Sequence, residues 1–302
     1  MTTLVTSDWH LNDNPRDRYR HEWITNWLIP YLRTHKIKRM FMLGDLTDEK
    51  DHHSAVLVNE IVSHLSTLGE LCHVYILKGN HDYVDPANPF FAFADQLERV
   101  AWISSPCKLR LTDLGNCLFL PHERHYREGQ WEFKGADLVF MHNTFDGAVS
   151  SSGRELEGIP RKAIPDGYTV ISGDVHVPQT LGRITYVGSP YTIDFVDSFK
   201  PRILILHGQQ GKDLLMQSVA VVTPQKRLLV ASTIQQARNR LKEAAGDVVK
   251  LRLSIASFEE WPTVKRQLLD YAAENGVKLH SLEPLLPEAT KPRAQRVKLA
   301  NR

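Results

Sequence analysis

The chain has 302 residues, of which 42% are hydrophobic and 24% charged, with 37 basic and 35 acidic side chains. This is an ordinary globular composition, long enough for one large domain or for a large and a small one. The lack of any apolar run near the ~20 residues of a membrane span argues against a membrane protein. The net charge of +2 neither requires nor excludes a nucleic-acid partner.

Short apolar runs predict the strands of the first two thirds of the chain, at residues 4–7, 38–43, 73–77, 108–111, 116–120, 137–141, 168–172, 184–187 and 202–206. Helical periodicity covers residues 19–34, where Pro30 should kink or end the helix. A second helix is predicted over 54–68, with Ser54 as its N-cap and Gly69 as its C-terminal stop.

The pattern changes near residues 208–212. A strand (219–222), a helix (233–245), a strand (248–255), a helix (258–275) and a strand (278–282) follow, which indicate a small α+β domain. The predicted organisation is therefore a domain over 1–210, an α+β domain over 211–286 and a basic flexible tail over 287–302.

Polar side chains follow one strand in an unusual density, from Lys78 to Asp82. Gly79 would let the backbone turn sharply, and Asn80, His81 and Asp82 then present an amide, an imidazole and a carboxylate. Such groups are costly at the end of a buried strand unless something compensates them. A metal site would do so.

Other predicted strands end in the same way, with Asp8 and His10, Asp45 and Asp48, His142, and Asp174 and His176. Oxygen and imidazole donors without thiolates favour Mn²⁺, Fe²⁺, Mg²⁺ or Zn²⁺. The donors exceed what one ion needs, so we expect two ions. Asp45 is the candidate for a carboxylate shared between them.

These motifs, D-x-H, G-D-x-x-D, G-N-H-D, a lone His and G-x-x-H in that order, resemble the signature of the calcineurin-like metallophosphoesterases. The resemblance implies a four-layer α/β/β/α sandwich. It assigns Asp8, His10 and His176 to a first ion, and it assigns Asn80, His142 and Asp174 to a second.

In the same resemblance Asp45 bridges the ions, His81 protonates the leaving oxygen and Asp48 orients His81. The family usually has histidine where this chain has Asp174. That carboxylate would either bind the second ion directly or contact it through water.

Two features resemble the Mre11/SbcD nuclease branch of this family. They are the segment 186–190, Tyr-Val-Gly-Ser-Pro, and the C-terminal α+β unit, which we interpret as a capping domain. The short length of the chain resembles that of phage members of the branch. This implies a DNA nuclease of repair, recombination or replication that uses Mn²⁺, or else Mg²⁺, and forms a homodimer. The resemblance also implies an SbcC/Rad50-like ATPase partner, but the sequence predicts no long helical segment after the α+β unit that could dock one.

Candidate substrate-binding residues are Arg16, Arg18, His52, Tyr83 and Arg124, with Arg20 beside the first two. Each of the charged residues and His52 could instead be an ordinary solvated surface residue. Tyr83 could instead pack in the core, and core packing is also the favoured interpretation for Trp9. Sparse cysteines without CxxC spacing, and an N-terminus without a signal-peptide pattern, predict a cytoplasmic location, or the host cytoplasm for a viral protein.

Two other functions stay open. One is a phosphomonoesterase or a small-molecule or cyclic-nucleotide phosphodiesterase, because a metal core does not name its substrate. The other is a metal-dependent scaffold that has lost catalysis, against which His81 and Asp48 argue.

Overall fold

The computed structural model describes residues 2–208 and 214–286. The chain divides into two compact units, Met1–Gln225 and Lys226–Arg302. The predicted tail over 287–302 lies outside the described residues. Within the described part, no helix combines the length and apolar character that crossing a membrane requires.

The first unit is built on two six-stranded sheets. Its strands are, in chain order, β1 (Thr2–Thr6), β2 (Arg39–Leu43), β3 (His73–Leu77), β4 (Val100–Ile103), β5 (Cys107–Leu111), β6 (Gly115–Leu120), β7 (Leu138–His142), β8 (Val170–Gly173), β9 (Gln179–Leu181), β10 (Ile184–Tyr186), β11 (Arg202–His207) and β12 (Leu215–Ala220). The spatial orders are β12-β11-β1-β2-β3-β4 and β5-β6-β7-β8-β10-β9. Strands β1 to β4 are parallel, as are β6, β7, β8 and β10. Parallel pairing brings the carboxyl ends of these strands to common edges.

The two sheets pack face to face. Their shared core includes Phe41 and Leu77 from the first sheet and Phe119 and Phe140 from the second. The rings of Phe41 and Phe140 meet edge to face, with centroids 4.7 Å apart. The predicted α/β sandwich is confirmed.

Helices cover the outer face of the first sheet. Helix α1 (Tyr19–Trp23), a π-helical turn (Ile24–Leu28) and α2 (Ile29–Thr34) follow one another without a break. Pro30 therefore does not end the predicted helix. Because proline cannot donate to the carbonyl four residues earlier, the widened turn before it accommodates the ring.

Helix α3 (Ala55–Leu71) packs on β3 and β4. Ser54 caps it as predicted, accepting a hydrogen bond from the Leu57 N–H at 3.1 Å. Gly69 does not stop the helix, which continues to Leu71. Glycine is required there for a different reason, because an added Cβ would overlap the Glu98 carbonyl oxygen.

The outer face of the second sheet is covered by the loops 121–137 and 144–169. Trp131, Phe133, Phe145 and Ile159 from these loops bury the sheet residues there, such as Val139. Strands β5 and β6 form the predicted hairpin.

The second unit contains β13 (Lys226–Ala231), α4 (Ile234–Glu243), β14 (Val248–Ser254), α5 (Trp261–Glu274) and β15 (Lys278–Leu285). Its parallel sheet has the order β13-β14-β15, and both helices pack on it. The sequence pattern does not predict β13, and the strand predicted near 219–222 is β12, which pairs with β11 at the edge of the first sheet. The division thus falls after Gln225 and not at 210. Whether this α+β unit acts as a cap stays a prediction.

Candidate metal centre

The predicted ligands lie at the carboxyl ends of β1, β2, β3, β7 and β8. The loops after β1 and β2 are joined by backbone hydrogen bonds from Asp8 N–H to the Gly44 carbonyl and from His10 N–H to the Asp45 carbonyl, each 3.0 Å long. All the side chains that the sequence assigned to metal binding converge on this edge. The structure therefore brings together residues that are as distant in the chain as Asp8 and His176.

Four of these residues adopt a left-handed backbone conformation. Asp8, His10, Asp45 and Asp174 have φ values of 55°, 45°, 59° and 78°. Such conformations cost non-glycine residues about 1–3 kcal/mol each and tend to cluster at functional sites. The strain here coincides with the residues that point into the site.

The first donor group contains Asp8, His10 and His176. One ligand atom from each of these side chains lies within 4.8 Å of the others. The Nε2 atoms of His10 and His176 are 3.1 Å apart. Two imidazoles and a carboxylate are a donor set suited to a transition-metal dication.

The second donor group surrounds the buried ring of His142. Its Nε2 atom lies 2.8 Å from Asn80 Oδ1 and 3.7 Å from Asp174 Oδ1. Asp174 also accepts a hydrogen bond from the Thr144 hydroxyl at 2.7 Å. The carboxylate that replaces the expected histidine thus faces the same point as Asn80 and His142.

Asp45 lies between the two groups. Its Oδ2 atom is 3.4 Å from His10 Nε2, and its Oδ1 atom is 3.3 Å from His142 Nε2. Each carboxylate oxygen therefore faces one donor group, an arrangement that would allow one carboxylate to be shared between two ions.

The donor set fits cations. The Asn80 amide oxygen lies 3.1 Å from Asp45 Oδ2 and 3.2 Å from Asp174 Oδ1, so acceptor oxygens face one another. Burial raises the pKa of Asp8 to about 6, which means that its charge is poorly compensated by protein groups alone. Divalent ions would offset this buried negative charge.

The pKa values of the central pair shift in opposite directions. Burial acts to raise the pKa of Asp45, but the facing His142 lowers it more, so that it lies well below its usual range. Burial acts to lower the pKa of His142, but Asp45 raises it well above its usual range. In the protein alone, His142 therefore provides the positive charge that a cation would otherwise supply.

Backbone and carboxylate partners orient the histidines. The His142 Nδ1–H donates to the Leu43 carbonyl at 2.5 Å, which leaves Nε2 for the site. His10 Nδ1 lies 3.0 Å from Asp48 Oδ1, which likewise directs Nε2 inward. Such outer partners fix the tautomer and the ring orientation of ligating histidines.

The predicted role of Asp48 in orienting His81 through its carboxylate is wrong. The His81 Nδ1–H donates to the backbone carbonyl of Asp48 at 2.6 Å. The Asp48 carboxylate instead contacts His10, and it accepts hydrogen bonds from Arg20 at 2.7 Å and from Asn12 at 2.5 Å. These cationic and polar partners outweigh burial and hold the pKa of Asp48 well below its usual range.

Two residues have structural roles that the sequence did not reveal. The fully buried Asp82 accepts from the backbone N–H groups of Asp45, Leu46 and Gly79 at 2.9, 2.9 and 2.6 Å, and so ties the loops after β2 and β3 together. Arg20 was a candidate phosphate contact, but it is 2% exposed and bonds Asp48 and the His10 carbonyl. The only sequence signal for the role of Asp82 was its position within the G-N-H-D motif.

Gly79 is required for proximity and not for a positive φ. An added Cβ would overlap Asp45 Oδ1 and the Asp45 backbone nitrogen. The loops after β2 and β3 can therefore approach this closely only with glycine at 79.

The predicted substrate-binding residues differ in their exposure to solvent. Arg16, His52 and Arg124 are exposed, and Arg18 is exposed but lies 2.5 Å from Glu60. Tyr83 is 2% exposed, and its hydroxyl lies 2.9 Å from His122 Nδ1, so it packs and does not present a face for stacking. Trp9 is also buried, as predicted.

The profile of the calcineurin-like phosphoesterase family matches residues 1–210. The chain belongs to this family of metal-dependent phosphoester hydrolases. It is 34% identical over 93 residues to SbcD, a component of the SbcCD nuclease of Escherichia coli (strain K12), and these residues cover 29% of this chain and 23% of that protein. It is 24% identical over 220 residues to exonuclease subunit 1 of Enterobacteria phage T4, covering 67% of this chain and 63% of that protein. The chain thus matches under a quarter of the first relative and under two thirds of the second.

Proposed function

We propose that the protein is a two-metal DNA nuclease of the Mre11/SbcD type that hydrolyses phosphodiester bonds. The observation that carries this proposal is the position of Asp45, with one carboxylate oxygen directed to each of two donor groups. Similarity to two proteins named as nuclease components supports DNA as the substrate.

Asp8, His10 and His176 would hold one ion, Asn80, His142 and Asp174 the other, and Asp45 would be shared. A pair of divalent ions supplies activated water and stabilises charge on the phosphoryl group. The oxygen and imidazole donors suit Mn²⁺, with Mg²⁺ as the alternative. The direct approach of the Asp174 carboxylate to the second group favours ligation without an intervening water.

In this proposal the substrate enters from the less buried side of the site. Asp8, His10, Asp45 and His142 are buried, whereas Asn80, His81, Asp174 and His176 are only half-buried and form the accessible side. A phosphodiester would approach from this side, which leaves the buried residues shielded from water.

In this proposal His81 protonates the leaving oxygen. The Asp48 carbonyl accepts its Nδ1–H at 2.6 Å, which leaves Nε2 as the atom that would deliver a proton. Its ring centroid lies 4.8 Å from that of His10, and its backbone N–H donates to Asp45 Oδ1 at 2.8 Å. His81 therefore borders the site while it is anchored through both its ring and its backbone.

The wider proposal includes an SbcC-type ATPase partner, since one relative is named as a component of SbcCD. It also includes a homodimer, a capping role for the α+β unit and action on DNA in the cytoplasm. These elements rest on the similarity and not on the geometry of the site.

The test uses the purified full chain with Mn²⁺ or Mg²⁺ on end-labelled single- and double-stranded DNA, with bis(p-nitrophenyl) phosphate and p-nitrophenyl phosphate as small esters. Cleavage of DNA and the diester, lost in Asp45→Ala, is the expected result. Hydrolysis of a small ester without DNA cleavage would favour the small-molecule alternative. DNA binding without hydrolysis would favour the scaffold alternative.

A further inference from the structure

A cleft of about 470 Å³ lies beside the loop that follows β3. Tyr83, Arg124, Arg127 and Trp131 are among its lining residues. Its volume falls within the roughly 300–1,000 Å³ typical of sites for small ligands and their fragments. The metal centre uses none of these four side chains.

The cleft is attached firmly to the metal centre. Tyr83 follows Asp82 directly in the chain, and its hydroxyl contacts His122, whose ring centroid lies 6.2 Å from that of His142. The His122 N–H donates to the Lys78 carbonyl at 2.9 Å, which joins the loop after β6 to the loop after β3. The cleft therefore adjoins the side of the metal centre that carries His142.

Two exposed arginines in the lining are available for an anion. Neither Arg124 nor Arg127 forms an ion pair within residues 2–208 and 214–286. Burial lowers the pKa of the Lys78 ammonium group, and the charge of Glu123, the acidic residue of the lining, partly opposes this effect. Among the described residues, neither arginine therefore has a carboxylate within ion-pair distance.

The aromatic residues of the cleft do not offer an open face to a base. Tyr83 has the Lys78 Nζ atom 4.7 Å and the Arg124 guanidinium carbon 5.5 Å from its ring centroid. Trp131 is 8% exposed. A lining with two guanidinium groups and no stacking platform suits phosphate better than a base.

We infer that this cleft binds the sugar-phosphate of a nucleotide flanking the scissile bond, without reading its base. This inference rests on the proposed nuclease function. It gives Arg124 and Arg127 a role in positioning the DNA strand, and it predicts affinity that is independent of sequence and sensitive to salt.

The test compares Arg124→Ala/Arg127→Ala with the control Arg161→Ala/Lys162→Ala, an exposed pair of the same charge on the loop after β7. For the cleft variant, the ratio of kcat/KM on a single-stranded oligonucleotide to that on bis(p-nitrophenyl) phosphate should fall about tenfold or more. The slope of log kcat/KM for DNA against log salt should become shallower by about 1.4, from two contacts at about 0.7 each. The control should change neither quantity by a comparable amount.

A neutral methylphosphonate linkage next to the cleaved bond provides a second measurement. It should slow the wild-type protein but have little further effect on the cleft variant, because the contact is already gone. Equal losses in the cleft and control variants, or an undiminished ratio, would overturn the inference. Failure of the wild-type protein to cut DNA while it hydrolyses the small diester would instead refute the proposed nuclease function.

Discussion

Replacing Asp48 with asparagine separates two accounts of the site. The structure places the Asp48 carboxylate against His10 Nδ1 and Arg20, while only its backbone carbonyl reaches His81. Asparagine keeps the backbone and the side-chain shape but removes the charge. We therefore expect Asp48→Asn to weaken metal binding at the His10 group and to leave the hydrogen bond to His81 intact.

The magnitudes follow from these contacts. Loss of an outer partner of a ligating histidine lowers metal affinity about 10–100-fold. The substitution also removes a charged partner of Arg20, which is costly because Arg20 is only 2% exposed. Asp17 remains 3.5 Å from Arg20 as a second partner. Breaking a fully buried ion pair costs about 3–5 kcal/mol of the free energy of unfolding. Because Asp17 remains and Asp48 is 31% exposed, we expect a smaller loss of about 2 kcal/mol. In a unit of this size that lowers Tm by about 4–8 °C.

The assay is calorimetric titration of metal-stripped protein with Mn²⁺, with thermal unfolding measured on the same samples. Asp51→Asn is the matched control, because Asp51 is an exposed carboxylate close by in the same loop. An unchanged Mn²⁺ affinity together with a shifted pH–rate profile would refute this reasoning and restore the role at His81.

Further outcomes are expected. Asp45→Ala should abolish hydrolysis and the uptake of both ions in metal titrations, because both donor groups share this carboxylate. Asp174→Asn should weaken one of two Mn²⁺ binding steps about tenfold, since ligand charge sets affinity; two unchanged steps would exclude direct ligation. Gly79→Ala should lose metal uptake, because its Cβ would overlap Asp45. Burial and His21 lower the pKa of His64 to about 4, so the free energy of unfolding should fall by up to about 3 kcal/mol as the pH drops from 6.5 towards 4. In urea titrations His64→Phe should make the pH dependence shallower by this contribution, whereas replacing the exposed His73 should not.

Residue types at strand ends were sufficient to predict which side chains gather at the candidate metal centre. Parallel strands bring their carboxyl ends to one edge, so Asp8, Asp45 and Asn80 had to meet once the strands were correctly predicted. Which partner each side chain chooses was not predictable. Asp48 and His81 both follow parallel strands, and sequence spacing does not distinguish a contact to the Asp48 carboxylate from one to its carbonyl.

Element boundaries failed where tertiary contacts decide them. Gly69 looked like a helix stop, yet it is present because the Glu98 carbonyl approaches the helix. Strand β12 looked like the start of the α+β unit, since nothing local distinguishes an edge strand of one sheet from the first strand of another. No residue of β12 is buried, which suits an edge strand, and its place in the first sheet becomes apparent only from its pairing with β11.

The left-handed residues and Asp82 together explain how this site can exist before it binds a cation. Strained loops would relax if they were free, but three backbone N–H groups converge on the Asp82 carboxylate and hold the loops after β2 and β3 in place. Burial and the nearby Asp45 raise the pKa of Asp82 to about 6, so the same brace adds to the buried negative charge. The group that fixes the geometry thus also strengthens the demand for cations. A protein that stores strain and unbalanced charge at one edge gains stability when divalent ions bind there, because binding to the folded state alone shifts the unfolding equilibrium.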